Sequence, residues 1–185
     1  KSDNLYVFDS SNYTIRKITP SQDVSTIGGS TGVQGYLDGV GAAARFEEVF
    51  SMVVGSDGNL YLTEYASNTI RRVTPAGVVS TVAGLEGFSG SDDGQGGDAR
   101  FDNPVAITAD EGGNLYVADE SSDTIRKIDS SGNVGTLAGT AGISGYVDGT
   151  GAVARFSFVT GLHYDKSGGS LYVMDAGSQR IRKVD

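Results

Sequence analysis

Three aspartates that each precede a glycine are the residues of this sequence best placed to bind a ligand. They are Asp38, Asp93 and Asp148, spaced 55 residues apart. A carboxylate in this position can accept backbone N–H hydrogen bonds and hold a glycine-rich loop in shape. It can also contribute to a calcium site, which needs several oxygen ligands around one ion. The copies lack the alternating Asp/Asn pattern of a calcium loop, so we favour the structural role and keep calcium as the alternative.

An arginine followed by a phenylalanine recurs after each of these aspartates. The pairs are Arg45-Phe46, Arg100-Phe101 and Arg155-Phe156. We expect the phenylalanine to fill a seam between neighbouring units and the arginine to pair with a carboxylate or with loop carbonyls. A ligand-binding ring of arginines is the alternative. Because the pair is repeated in every copy, a structural role is favoured.

The residues needed for catalysis are scarce. The chain has no cysteine and one histidine, so disulfides, Cys-ligated zinc and thiol nucleophiles are excluded. His163 replaces Val53 and Thr108 at the matching positions of other copies. No second histidine and no Ser-His-Asp arrangement accompanies it. We therefore predict no catalytic, cofactor or metal residues, and lean towards a protein that is not an enzyme.

These residues belong to a unit that occurs four times. Each copy has a Leu-Tyr strand ending in an acid, a turn, and an Ile-Arg strand, and the leading leucines are Leu5, Leu60, Leu115 and Leu171. Their spacings of 55, 55 and 56 residues are typical of a repeat architecture. The acids that end the first strand are Asp9, Glu64, Asp119 and Asp175. We interpret them as turn-stabilising residues.

Each unit predicts four sequential antiparallel strands, lettered a to d, with apolar residues on both faces. Such units bury both faces only against neighbours, which favours an all-β propeller over a β-solenoid. The pattern predicts 14 strands, or about three and a half blades. One domain, 1–185, would hold blade pieces at about 1–29, 49–84, 104–139 and 159–185, joined by long glycine-rich loops. The first copy lacks strand a and Lys1 opens no signal peptide, so we expect a fragment or a processed chain.

The run Gly-Asn-Leu-Tyr-Val-Ala-Asp at 113–119, followed by Ile-Arg-Lys-Ile at 125–128, resembles the NHL-repeat family of β-propellers. The Asn-His-Leu triplet that names the family is degenerate here: Tyr13-Thr14-Ile15, Asn68-Thr69-Ile70, Asp123-Thr124-Ile125 and Gln179-Arg180-Ile181. The Asp-Gly-x-Gly-x-x-Ala-Arg-Phe connection resembles an expanded subgroup of surface or secreted proteins. Rings of this family usually have six blades, which implies that about half a ring is present.

Acidic residues suggest a contact surface. In a propeller of this strand order, the b–c turns and the d–a connections share one face. The candidate contact residues on it are Glu47, Glu48, Asp92, Asp93, Asp98 and Asp102. A basic partner would suit such a face, and a merely solvated surface is the alternative.

Composition limits the partners. The net charge of −9 argues against a phosphate-backbone binder, so no nucleic acid is expected. No apolar run reaches the roughly 18 residues of a membrane helix, so no membrane insertion is expected. Asn12 begins an Asn-Tyr-Thr glycosylation sequon, which matters only in a secreted eukaryotic protein.

The sequence favours a non-catalytic structural or protein-interaction module, extracellular or at the cell surface, that binds a protein partner or assembles with itself. One alternative is a six-bladed hydrolase or lyase with an axial metal site. The other is a glycan- or ligand-binding face formed by the acidic loops. Fold alone does not choose among these functions.

Overall fold

The computed structural model describes residues 4–185, which form four antiparallel sheets. The strands of this range are β1 (Leu5–Asp9), β2 (Thr14–Ile18), β3 (Val24–Gly28), β4 (Gly39–Val40), β5 (Val49–Val54), β6 (Leu60–Glu64), β7 (Thr69–Val73), β8 (Val78–Gly84), β9 (Gly94–Gln95), β10 (Pro104–Ala109), β11 (Leu115–Asp119), β12 (Thr124–Ile128), β13 (Asn133–Ala138), β14 (Val159–Asp165), β15 (Ser170–Asp175) and β16 (Arg180–Val184). Within residues 4–185, no helix has the length and apolarity needed to cross a membrane.

The four sheets are successive blades of a β-propeller. Blade 1 is β1–β3, blade 2 is β5–β8, blade 3 is β10–β13 and blade 4 is β14–β16. The a strands β5, β10 and β14 lie beside one another, so they form the inner edge of the arc. The all-β fold and the partial propeller predicted from the repeats are confirmed.

A short extra strand on two blades was not predicted. Strand β4 pairs with β8, and β9 pairs with β13, so blades 2 and 3 each gain a fifth strand at the outer edge. A 3₁₀ turn follows each of these strands, at Gly41–Ala43 and Gly96–Asp98. The loop before a blade therefore runs to that blade's outer edge and covers backbone groups that would otherwise be exposed.

The hydrophobic core lies in the seams between blades. Phe46, Phe101 and Phe156 are each at most 1% exposed. Phe46 packs with Ile15 of blade 1 and Leu62 of blade 2. The other two phenylalanines occupy the corresponding positions in the next two seams. The seam-filling role expected of these residues is confirmed, and burying each ring contributes about 2 to 3 kcal/mol.

The residue before each c strand has a left-handed backbone, with φ between 54° and 59°. These residues are Tyr13, Asn68, Asp123 and Gln179. The chain after strand d approaches the same point. A Cβ added to Gly84 would lie 2.3 Å from the Asn68 carbonyl oxygen, and Gly84 itself has φ of +89°. The glycine at the end of each d strand (Gly29, Gly84 or Gly139) is therefore required by both space and conformation.

Candidate functional site

A buried arginine lies at the centre of strand c in blades 2, 3 and 4. The residues are Arg71, Arg126 and Arg182, whose side chains are 0%, 0% and 10% exposed. Each one bridges the acid that ends strand b and the aspartate of the preceding loop. In blade 3, Arg126 lies 2.7 Å from Asp93 Oδ1 and 3.5 Å from Asp119 Oδ2.

The same bridge occurs in the other two blades. Arg71 pairs with Asp38 at 2.8 Å and with Glu64. Arg182 pairs with Asp175 at 3.0 Å and with Asp148. Because the Arg, the strand-b acid and the loop Asp recur together, they form one repeated device, which we call the arginine bridge.

The arginine bridge also binds the loop backbone. Arg126 donates hydrogen bonds to the carbonyl oxygens of Arg100 at 2.7 Å and Asp92 at 3.1 Å. Its guanidinium lies 5.2 Å from the centre of the Phe101 ring. The loop before blade 3 is thus held against the middle of the blade by one cation.

Two of the loop aspartates, Asp38 and Asp93, each accept hydrogen bonds from more than one residue of the blade. Asp93 Oδ1 accepts hydrogen bonds from Arg126 and from the Thr136 hydroxyl, the latter at 3.0 Å. Asp38 likewise accepts from Arg71 and from the Thr81 backbone N–H. In residues 4–185, no group of three or more His, Asp or Glu side chains is arranged to hold a metal ion. This geometry supports the role of the aspartates in holding the loop. The carboxylate oxygens that a calcium ion would need as ligands already accept hydrogen bonds from a guanidinium.

The pKa values of the two carboxylates that pair with Arg126 are shifted in opposite directions: that of Asp93 is lowered and that of Asp119 is raised. Desolvation opposes ionisation of Asp93, yet hydrogen bonds from Thr136 and Arg126 lower its pKa. Burial raises the pKa of Asp119 to about 7, against the hydrogen bonds from the Asp102 N–H and Ser122 and the charge of Arg126. Burial also raises the pKa of Glu64.

The arginines of the Arg-Phe pairs have the other expected role. Arg45 donates to the carbonyl oxygens of Ala42 at 2.6 Å and Ala44 at 2.7 Å. Arg100 and Arg155 do the same in their loops. The cation that pairs with the loop aspartate was missed in the sequence. Its signal was present, because an Ile-Arg dipeptide occurs in all four c strands.

Blade 1 contains a reduced form of this device. Arg16 lies 3.9 Å from Asp9, and both side chains are about one third exposed. The Asn12 side-chain amide donates to Asp9 Oδ2 at 2.8 Å. The glycosylation candidate Asn12 therefore stabilises the acid that ends β1. A glycan on its nitrogen would require this hydrogen bond to rearrange.

The six acids predicted to share a contact face do not lie together, which corrects that prediction. Glu47, Glu48 and Asp102 lie beside the b–c turns, where Tyr65 N–H donates to the Glu48 carbonyl and Ser121 N–H to the Asp102 carbonyl. Strand β9 carries the loop to the outer edge of blade 3. Asp92 and Asp93 therefore lie over the blade, and Asp98 lies near the c–d turn, where Gly96 N–H donates to the Gly132 carbonyl.

The b–c turns and the segments bonded to them form a continuous surface, here called the turn face. It comprises residues 10–13, 30–33, 47–48, 65–68, 85–88, 102–103, 120–123, 140–143, 157–158 and 176–179. Its charged residues are Glu47, Glu48, Glu86, Asp102, Glu120 and Asp123, and none of these described positions is Lys or Arg. The basic residues Lys17, Arg72, Lys127 and Lys183 lie near the opposite end of strand c.

Apolar side chains are also exposed on the turn face. Val33, Phe88 and Ile143 occupy equivalent positions after successive d strands, with 44%, 61% and 49% exposure. Phe158 is 55% exposed. Their repetition at one end of the arc was not predicted from the sequence, because they lie in loops without periodic polarity.

His163 lies on the inner strand β14, opposite Tyr172 of β15, and is exposed. It is the histidine of the chain, and the described residues provide no second ligand beside it for a metal. The predictions made for catalysis and cofactors remain predictions.

No protein-family model matches the chain. It is 31% identical over 154 residues to NHL repeat-containing protein 2 of Bos taurus, covering 77% of this chain and 21% of that protein. It is also 31% identical over 147 residues to Teneurin-4 of Homo sapiens, covering 68% of this chain and 5% of that protein. The chain thus spans a small part of these curated relatives.

Solved structures share the fold. A structural genomics protein of unknown function from Bacteroides thetaiotaomicron has a TM-score of 0.77 and 27% identity, covering 98% of this chain and 44% of that one. A chain of the nidogen/laminin complex has a TM-score of 0.66 and 18% identity, covering 99% and 56%. The blades and arginine bridges define a β-propeller protein. The chain belongs to the NHL-repeat family of β-propellers, as its repeated motif predicted.

Proposed function

We propose that this protein is a non-catalytic interaction module that contacts a protein partner through the turn face, at the cell surface or outside the cell. The observation that carries the proposal is the composition of that face. Six carboxylates and several exposed apolar side chains lie there without a Lys or Arg among the described positions. Such a surface attracts a basic partner and offers apolar area for contact.

The arginine bridges support a passive role for the blades. Each bridge fixes a long loop against a blade by a buried cation, which gives a rigid platform. Fold similarity to a chain of the nidogen/laminin complex and relatedness to Teneurin-4 support a surface location. A lyase with an axial metal stays a prediction, and metal analysis of the purified protein tests it.

The experiment compares two charge-reversal variants in affinity capture from extracts of the source organism. Glu48→Lys with Glu86→Lys changes exposed carboxylates of the turn face. Asp98→Lys with Glu111→Lys makes the same change of charge at exposed residues away from it. We expect partners to bind the wild type and the control variant but not the turn-face variant. Equal capture by all three proteins would contradict the proposal.

A further inference from the structure

A concave depression lies on the turn face where blades 2, 3 and 4 meet. It is lined by Tyr65, Glu120, Ser121, Asp123, Ser144, Ser157 and Phe158, with a volume of about 380 Å³. Tyr65 comes from the b–c turn of blade 2, and Glu120 comes from that of blade 3. Phe158 comes from the segment that enters blade 4. Three blades therefore contribute side chains to one site.

Aromatic side chains form an open platform at this depression. The Tyr65 ring stacks on Phe50, with centroids 4.7 Å apart and planes 27° apart. Phe50 is 54% exposed and Phe158 is 55% exposed. Phe158 also has a left-handed φ of 55°, a conformation that a bulky residue adopts at a cost. Neither exposed ring is explained by packing in the core.

The depression interrupts the repeat. The positions equivalent to Tyr65 are Ser10, Glu120 and Ala176, and those equivalent to Phe158 are Glu48 and Asn103. Loop pinning and seam filling recur in blades 2, 3 and 4, whereas a binding site for a partner needs to be formed only once. The aromatic residues Tyr65 and Phe158 each occur once among the equivalent positions, as expected for a binding site rather than for a structural repeat.

Negative charge surrounds the aromatic platform. Burial raises the pKa of Tyr65, and the nearby charges of Glu120 and Glu48 raise it further. Burial also raises the pKa of Glu120, although the Tyr65 hydroxyl opposes this, and the charge of Asp123 adds to it. None of the turn-face residues defined above is basic, and the adjoining Arg180, the first residue of β16, lies 4.9 Å from the centroid of the Tyr146 ring.

We propose that this depression binds an arginine side chain from a basic segment of a partner protein. A planar guanidinium can stack on an aromatic ring and donate two hydrogen bonds to a carboxylate. The chain uses the same chemistry internally, since the guanidinium of Arg71 lies 4.3 Å from the centroid of Tyr36 while it pairs with Asp38. A neutral sugar could stack there and donate hydroxyl hydrogen bonds to the carboxylates, but it would bring no positive charge to offset theirs. This inference rests on the proposed function and names the chemistry of the partner.

The test uses acetyl-Gly-Arg-Gly-Arg-Gly-amide as the probe and the same peptide with citrulline as its neutral isostere. Binding is measured by NMR titration, with the Tyr65 and Phe158 ring signals as the local readout. We expect the arginine peptide to shift these signals saturably and the citrulline peptide to bind at least tenfold more weakly. A set of neutral oligosaccharides is titrated in parallel, and preferential binding of a sugar would overturn the proposal.

Two variants and one control locate the site. Glu120→Gln removes one carboxylate, and Tyr65→Leu removes the aromatic ring but keeps apolar volume; we expect each to weaken peptide binding three- to tenfold. Glu111→Gln removes the same charge from the a–b turn of blade 3 and should leave affinity unchanged. Circular dichroism confirms folding of each variant. Equal binding by all variants would overturn this site, while turn-face-dependent capture of a partner would still support the proposed function.

Discussion

Arg126 and Asp93 are 33 residues apart in sequence, yet their side chains pair at 2.7 Å and join the loop before blade 3 to the middle of that blade. The guanidinium is fully buried, whereas the Asp93 side chain is 55% exposed. The partly exposed Asp93 carboxylate therefore links the buried Arg126 guanidinium to the surface of the loop. This relationship determines which substitutions in the arginine bridge should be costly.

Replacing Asp93 with Asn should lower the free energy of unfolding by about 1 to 2 kcal/mol, because it weakens a charged hydrogen bond to a buried arginine that keeps Asp119. Asp148→Asn makes the same change in blade 4, where the aspartate side chain is 93% exposed. Solvent screening should make that loss smaller. Urea unfolding measures both, and a larger loss for Asp148→Asn would contradict this interpretation.

Replacing Arg126 with Met should be much more damaging, with a loss of about 3 to 5 kcal/mol, because it removes the hydrogen bonds to Asp93 and to the Arg100 and Asp92 carbonyl oxygens together with the cation beside the buried Asp119. The additional change Asp119→Asn removes the buried carboxyl group that has lost its cation and keeps an oxygen to accept the Asp102 N–H. We therefore expect the double variant to recover part of the stability in chemical denaturation. Additive losses in the double variant would show that the two residues are not coupled.

Gly84→Ala should destabilise the protein by more than about 2 kcal/mol, because the new methyl group would lie 2.3 Å from the Asn68 carbonyl oxygen at a left-handed φ. Gly87→Ala is the matched control. Gly87 has φ of +75° but no atom within 4 Å of the added Cβ, so only the conformational cost of about 1 kcal/mol applies. Similar losses of thermal stability in both variants would show that the close approach is not limiting.

Tyr13→Asn should stabilise the protein by about 0.5 to 1 kcal/mol. Tyr13 has φ of 54°, and asparagine tolerates this conformation far better than tyrosine. The equivalent Asn68 also accepts a hydrogen bond from the Asn103 N–H of the next blade at 2.8 Å. Asn68→Ala should therefore be destabilising by a similar amount or more. Thermal unfolding of both variants tests the pair, and a lower midpoint for Tyr13→Asn would refute the argument.

Asp119 should make stability fall as pH rises towards neutrality. Burial raises its pKa to about 7 in the folded protein, whereas the unfolded value is about 3.9. The folded state therefore binds the proton more tightly, and the free energy of unfolding decreases from about pH 4 to about pH 7. Glu64, whose pKa is also raised by burial, adds a contribution of the same sign.

Urea titrations across this pH range compare the wild type with Asp119→Asn. The variant should lose most of the decline and keep the part that Glu64 provides. Asp93 acts in the opposite direction only at lower pH, since its pKa is lowered. An unchanged slope in the variant would show that Asp119 does not titrate in this interval.

The repeat period and the alternating apolar residues predicted the blades, because each strand is defined by local pattern and by its neighbours in sequence. Strands β4 and β9 were not predictable in this way. Each has two residues, one of them glycine, and pairs with a strand about 40 residues later. Their formation depends on long-range strand pairing and on the arginine bridge. Neither of these can be inferred from the local secondary-structure propensity of the sequence.

The candidate site was predictable only in part. Repetition identified the loop aspartates and the Ile-Arg dipeptide of strand c, but not the pairing of these arginines with the aspartates 33 or 34 residues earlier. The grouping of six acids into one face was wrong, because the positions of residues along a loop in sequence do not show where the folded loop runs. Strand β9 carries part of this loop to the outer edge of blade 3. The turn-face depression depends on Tyr65 and Phe158, which come from different blades, and only the folded arc places them together.

The pairing of β4 with β8 and of β9 with β13 has a consequence for duplication and recombination of this gene. The segment that can be copied or exchanged as a self-contained cassette is offset from the blade, because the outer edge of blade 3 is completed by residues that precede strand a. A crossover just after strand d of one copy and just after strand d of the next would keep each edge strand with its partner. A crossover just before strand a would separate them and exchange blades with mismatched rims.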